Sequence, residues 1–218
     1  MARPKSGYRL QDGTKIVGVT TVIGRFKETG GLLYWAFEQG KSAERGEISK
    51  LYDKRDDAAN FGEQVHNLVE AHISGQPITN RSTLVPEVLQ GFENYLNWEV
   101  DNKIVIDQQE IPLVSEKYRF GGTLDAIGHD SRGRRILLDW KTSNSVYVDY
   151  LLQLSAYQAL WEENYPDDPI GGGLHLCRFS KDYGDFAHHY FSELDDAWEQ
   201  FKLFLKAFKL DKLIKRRC

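Results

Sequence analysis

The chain has two cysteines in 218 residues, Cys177 and Cys218. Two thiolates cannot by themselves complete a zinc site or hold an iron–sulfur cluster, and they outline no disulfide framework. No apolar run approaches the roughly 20 residues that span a bilayer, so no membrane partner is expected. The opening Met1-Ala-Arg-Pro-Lys-Ser6 lacks the apolar stretch of a secretory signal. These absences fit a reducing, cytoplasmic setting. Net charge is also small, −4 from 28 Lys+Arg against 32 Asp+Glu, unlike a protein that coats nucleic acid through a general basic surface. Local basic surface is not excluded. Lys202, Lys206, Lys209, Lys212, Lys215, Arg216 and Arg217 cluster near the end, either as a solvated helix face or as a DNA contact.

What is present is apolar and aromatic enough for a packed globule: 41% hydrophobic residues, with five Trp, eleven Tyr and eleven Phe. One domain over 1–218 is expected, with a hairpin and helical part at 1–102 and a core at 103–218. Tyr8 to Val17 reads as a hairpin turning at Asp12-Gly13, followed by the β-branched Val17–Ile23 and a short helix around Leu32–Phe37. Helical periodicity covers Asp56–Ile73 and Pro86–Val100, the latter burying Val88, Leu89, Phe92, Tyr95, Leu96 and Trp98. Strands follow at Lys103–Ile111, Tyr118–Gly128 and Arg135–Lys141, the last two joined by the turn Asp130-Ser-Arg-Gly133. A helix to about Asn164 comes next, with capping groups in Thr142–Ser145. Strands Leu174–Phe179 and Phe186–Phe191 turn back at Tyr183-Gly184. A last helix starts near Ser192, with Asp195 as a capping partner and Leu194, Ala197, Trp198, Phe201, Leu205 and Phe208 buried. This order predicts an α/β fold: a mixed central sheet flanked by helices, with an N-terminal helical elaboration.

Three segments carry the chemistry: Gly122-Thr-Leu-Asp125, Leu138-Asp139-Trp140-Lys141 and Gln153-Leu-Ser-Ala-Tyr157. Alternation along the third strand puts Leu137, Asp139 and Lys141 on one face, so the acid and the lysine share one space. The same alternation groups Asp125 with Gly121, Thr123 and Ile127, and the glycines leave room for a ligand or another backbone to approach closely. Two carboxylates can hold a divalent cation, and a lysine beside them can orient water attacking a phosphodiester. Alternatively, Asp125 and Asp139 are ordinary strand-end carboxylates, one paired with Lys141. Asp101-Asn102-Lys103 has the same acidic-x-Lys spacing but lies in a polar stretch outside any apolar strand. Tyr150, Gln153 and Tyr157 share a helical face, and core packing explains a glutamine there poorly. His66 falls on a stripe with Gly62, Val69 and Ile73, where it is either a packed core histidine or a ligand. Pro169-Ile-Gly-Gly-Gly173 lacks the Lys-Ser/Thr of a phosphate loop, and His188 and His189 point to opposite faces, so neither is a site.

Together these segments resemble the PD-(D/E)XK nuclease superfamily, specifically its RecB-like exonuclease branch. The likeness covers Gly62 to Tyr157, through Gly-x-x-x-His66, Gly-x-x-Asp125, Asp139-x-Lys141 and Gln153-x-x-x-Tyr157. It implies a restriction-endonuclease-like fold. It also implies Mg²⁺ or Mn²⁺ held by His66, Asp125, Asp139 and the Trp140 carbonyl, with Asp125, Asp139 and Lys141 catalytic. Gln153, Tyr157 and Tyr150 would contact DNA. Glu110 resembles an acidic residue preceding the Asp125 strand; it is either an outer neighbour of the metal or a solvent-facing glutamate. Val19-Thr20-Thr21 running into a Trp35-Ala36 helix is similar to the N-terminal part of phage and mitochondrial genome-maintenance exonucleases, where Thr20 and Thr21 would lie near the nucleic-acid path; plain β-propensity and core packing are the other reading. Related CRISPR-adaptation nucleases carry a cysteine quartet that this chain lacks, so no iron–sulfur cluster is expected. The implied activity is DNA exonucleolysis from single strands or ends, in recombination, repair or replication. A non-catalytic DNA-end-binding protein and a structure-specific endonuclease are the alternatives.

Overall fold

Buried apolar runs in the second half of the chain pair into one six-stranded sheet, and the amphipathic segments between them cover both of its faces. The computed structural model describes residues 4, 7–27, 30–46, 53–78, 84–180 and 184–217. Its strands are β1 (Val17–Gly18), β2 (Val105–Ser115), β3 (Phe120–His129), β4 (Arg135–Thr142), β5 (Leu174–Phe179) and β6 (Phe186–Phe191). Its helices are α1 (Val19–Phe26), α2 (Gly30–Glu44), α3 (Asp53–Ile73), α4 (Pro86–Asn102), α5 (Val148–Asn164) and α6 (Asp195–Lys215). β3 pairs antiparallel with β2 and β4, and parallel with β1; β5 pairs parallel with β4 and antiparallel with β6. The expected mixed sheet flanked by helices is the architecture adopted. Among the described residues, no helix is long and apolar enough to cross a membrane.

The sheet separates two cores. On one face, α1, α5 and α6 pack Val22, Leu152, Leu160, Trp161 and Phe201 against Leu124, Ile127, Leu137 and Leu176. On the other, α3 and α4 pack Val65, Leu68, Phe92 and Tyr95 against Ala126, Ile136, Leu138 and Trp140. Alternate residues of β4 therefore go to opposite cores, as its pattern predicts.

Several boundaries differ from the sequence reading for local reasons. The β-branched run after Val17 turns helical at once, because Val19, Val22 and Ile23 recur at helical spacing and bury together. The short Leu32–Phe37 helix is part of the longer α2. Pro86 opens α4, and Lys103 closes it in a left-handed conformation with its N–H directed to the Glu99 and Val100 carbonyls. β2 continues past Ile111 to Ser115. Thr142–Ser145 do not cap α5; its N-cap is Tyr147, without a side-chain hydrogen bond. Asp195 lies in the first turn of α6 beside Asp196, where its charge faces the positive helix end. Tyr183 and Cys218 lie outside the described residues.

β2 carries one extra residue, Asp107, between the pairs Ile106↔Gly128 and Gln108↔Ile127. Its carboxylate meets Arg135 and His129. A side chain added at Gly128 would run into the Val105 carbonyl and its backbone carbon. Gly128→Ala should therefore destabilise by about 1–3 kcal/mol, the usual cost of overpacking against atoms that cannot swing aside. At about 2–4 °C per kcal/mol for a domain of this size, calorimetry should record a melting temperature roughly 2–12 °C lower.

Candidate active site

β3 carries β2 along the whole of one edge. Its other edge is shared: β4 pairs with Ala126–His129, while β1 pairs with Phe120 and Gly121. Between them, at Gly122–Asp125, the sheet is forked. The ladder to β4 closes at Ala126↔Leu138, one step short of Asp125 and Asp139. There a side chain replaces a ladder bond, the Trp140 N–H donating to Asp125 Oδ2 at 3.0 Å. The fork thus seats both aspartates at the point where two buried strands part.

Strict alternation fails here. Ala126 packs on the α3 side and Leu124 on the α5 side, two residues apart on opposite faces. Leu124 and Ile127, three apart, share a face. The grouping of Asp125 with Ile127 is therefore corrected: the phase slips at Asp125. The glycines also serve a different purpose from leaving room for a ligand. A Cβ on Gly121 would meet the Tyr8 ring at 2.5 Å, and one on Gly122 the Tyr157 ring at 2.6 Å. Two tyrosines occupy the space, and Tyr8 Oη bonds Thr123 Oγ1 at 2.9 Å.

Asp139 is fully buried and faces α5. Lys141 Nζ lies 2.5 Å from its Oδ2. The ammonium and the carboxylate are joined by charge and by a hydrogen bond. Gln153 spends both amide hydrogens, one on Asp139 Oδ1 at 3.1 Å and one on Tyr157 Oη at 3.0 Å. Burial pushes the Asp139 carboxyl up to about 7, Lys141 opposes that rise, and neighbouring Asp125 adds to it. Burial works against the Lys141 ammonium, but Asp139 and Asp125 outweigh it and its pKa is raised. Burial, with both aspartates nearby, holds the Tyr157 hydroxyl well above its ordinary value. Gln153 and Tyr157 are both buried, and Gln153 holds Asp139 while donating to Tyr157 Oη. Tyr150 lies under the lysine, its ring centre 5.5 Å from Nζ.

On the other side of the fork, a cavity of about 440 Å³ is lined by Glu63, His66 and Glu70 of α3, Gln109 and Glu110 of β2, Asp125 and Trp140. Gly62 lets α3 approach, since a Cβ there would meet Thr142 Oγ1 at 2.8 Å. Burial lowers the His66 pKa, and Asp125 partly opposes it, so the ring is neutral and able to act as a ligand at pH 7. His66 reaches the side of Asp125, whereas Asp139 faces α5. Among the described residues, no three His, Cys, Asp or Glu side chains stand close enough together to hold a metal ion. The donors that do assemble are two carboxylates and the Trp140 carbonyl, which Lys141 Nζ approaches at 3.5 Å. Asp125 Oδ1 is buried without a hydrogen-bond partner. Two adjacent buried carboxylates with one lysine between them are short of positive charge, and hard oxygen donors of this kind fit Mg²⁺ or Mn²⁺.

Glu110 is half-buried and lines this cavity. Thr20 and Thr21 are exposed on α1 and are not among the cavity residues. Several of the basic residues of α6 are engaged locally: Lys202 with Glu199, Lys215 with Asp211, and Lys209 with the Tyr118 carbonyl. His188 of β6 stacks on His175 and tilts against Trp98. Two residues escaped the sequence reading. Tyr8 had no local signal. Arg178, paired with Lys141 across the β4–β5 ladder, bonds the Ser143 carbonyl at 3.1 Å and Asp185 at 3.0 Å; an arginine inside Leu174-His-Leu-Cys-Arg-Phe179 was the available clue.

No family model and no curated protein matches the chain. Solved structures give distant likenesses. A protein crystallised as SSO0001 is 18% identical with a TM-score of 0.36, over 69% of this chain and 68% of that one. A Eubacterium rectale protein bearing the name "Putative exonuclease" is 15% identical with a TM-score of 0.44, over 66% of this chain and 64% of that one, just under two thirds of its length.

Proposed function

We propose that the chain is a metal-dependent deoxyribonuclease of the PD-(D/E)XK superfamily, RecB-like branch, degrading DNA from ends with a preference for single strands. The observation that carries this reading is the fork itself. It gathers Asp125, Asp139 and Lys141 where the strands part, with Trp140 N–H on one carboxylate and the ammonium on the other. Ordinary strand-end carboxylates have no need of such a buried, charge-deficient arrangement.

Asp125, Asp139 and the Trp140 carbonyl would hold Mg²⁺ or Mn²⁺, with His66 beside Asp125. When bound, the ion supplies Lewis acidity at the phosphate and a more acidic water. Gln153 locks the Asp139 carboxylate, and Tyr157 locks Gln153, so the oxygen donors are fixed beforehand. Lys141 keeps its proton at neutral pH, because the paired acids raise its pKa. It therefore acts as a cation and N–H donor rather than as a base, orienting water and offsetting charge that builds on the phosphoryl oxygens. The neighbouring cavity presents Glu63, Glu70, Glu110 and Asp125, and among the described residues no lysine or arginine lines it, which favours cations over a polyanionic strand.

The test is digestion of end-labelled linear DNA and of circular single strands, with Mg²⁺, with Mn²⁺ and with EDTA. Linear single strands should shorten to small products, circles should persist, and EDTA should stop cleavage. Equal cutting of circles and linear strands would favour a structure-specific endonuclease. A second reading is a DNA-end-binding protein without turnover, since among the described residues the convergent acidic donors are the two carboxylates Asp125 and Asp139. End-dependent retention of labelled DNA with no product in either metal would select it.

A further inference from the structure

Three described non-glycine residues have left-handed backbones: Lys103, Arg119 and Glu110. Lys103 ends a helix, and Arg119 lies in the turn between β2 and β3, places where such a conformation is useful. Glu110, with φ of 52°, lies inside a strand, where positive φ is uncommon for a non-glycine residue. No extra residue explains it. The register runs Gln109↔Ala126 and then Ile111↔Leu124, so Glu110 stands opposite Asp125 with the count preserved.

Both strands change face at this step. On β2, Gln109 lies on the α3 side, bonding Ser74 Oγ just past that helix at 2.7 Å, while Ile111 packs in the core under α5. On β3, Ala126 and Leu124 divide in the same way. Residues two apart share a face in a regular strand; here they do not. Asp125 sits at the turning point, where its carboxylate both accepts the Trp140 N–H and lines the cavity with His66. We propose that the left-handed backbone of Glu110 is the pivot that turns Asp125 out of phase, making residue 110 a positioning residue for Asp125. The metal-binding consequence rests on the nuclease reading; the pivot itself does not.

The test separates backbone from carboxylate by comparing Glu110→Gly and Glu110→Asn, which accept positive φ, with Glu110→Val, which resists it. The readout is amide hydrogen exchange in metal-free protein at Trp140, whose N–H reports where Asp125 sits. Exchange at Ile136 and Leu138, inside the same strand, serves as the control. Gly and Asn should keep the wild-type protection of Trp140. Val should speed its exchange by about tenfold, the loss of roughly one hydrogen bond, with Ile136 and Leu138 unchanged. Mn²⁺ affinity measured by calorimetry should follow Trp140 protection across the series. Lost protection in Glu110→Gly, or full protection in Glu110→Val, overturns the pivot. If Glu110→Val does not fold, the Gly and Asn variants decide alone. A wild-type protein that binds no Mn²⁺ would count against the nuclease reading, while the exchange results still decide the pivot.

Discussion

Lys141→Met should reduce DNA cleavage by at least about a hundredfold, the usual loss when one preorganised charge stabiliser is removed. It should also destabilise the metal-free protein, because Asp139 is fully buried and pairs with the ammonium 2.5 Å away. Breaking such a buried pair costs about 3–5 kcal/mol, or roughly 6–20 °C in melting temperature at this size. The cost depends on pH in a fixed direction. Burial already raises the Asp139 carboxyl to about 7, and losing Lys141 raises it further. A carboxyl whose folded pKa lies above its unfolded value destabilises as pH rises through the interval between them. The variant should therefore melt closer to wild type at pH 6 than at pH 8.5. Mn²⁺ should recover part of the difference, since an ion bound only by the folded state stabilises it. Calorimetry at the two pH values, with and without Mn²⁺, and cleavage of end-labelled DNA provide the check. Near-wild-type turnover would remove the lysine from the mechanism.

Asp125→Ala and Asp125→Asn should be equally inactive but unequally stable. Asp125 has two duties, which fall on different oxygens: Oδ2 accepts the Trp140 N–H, and Oδ1 has no hydrogen-bond partner. Asparagine keeps a neutral acceptor for the N–H, while removing the charge a divalent ion needs. Alanine removes both and leaves a buried N–H unpaired, at about 1–3 kcal/mol. Asp125→Ala should thus melt roughly 2–12 °C below Asp125→Asn. Both should lose Mn²⁺ affinity by titration calorimetry. Equal melting temperatures would mean that the Trp140 contact does not hold the fork.

The sheet was legible because its strands are short apolar runs between clear turns, and Arg135–Thr142 was readable residue by residue. Asp139 and Lys141 fall on the predicted face, and Gln153 and Tyr157 on the predicted helix. The phase of Asp125 was not legible from alternation, because it depends on a backbone twist at Glu110, and glutamate does not advertise positive φ. A trace was present in Leu124 and Ile127, two large apolar residues three apart on one strand. The paired glycines were misread because what fills the space beside them comes from far away: Tyr8 lies 115 positions from the Thr123 it bonds. Gln153 and Tyr157 were readable as one helical face, but the bond from Gln153 to Asp139 was not, since a sequence does not say which side chain a buried amide meets.

The fork also sets an order of events in time. β1 can pair only with Phe120 and Gly121, and Tyr8 can lodge only against a β3 that already exists. During synthesis the early strand waits for about a hundred residues to follow it, roughly 5–20 s at ordinary elongation rates. Contacts so distant along the chain are slow to close. The hairpin β3–β4 carries both aspartates and closes across a short turn. The fork is therefore complete only when a local contact and one spanning about a hundred residues have both been made.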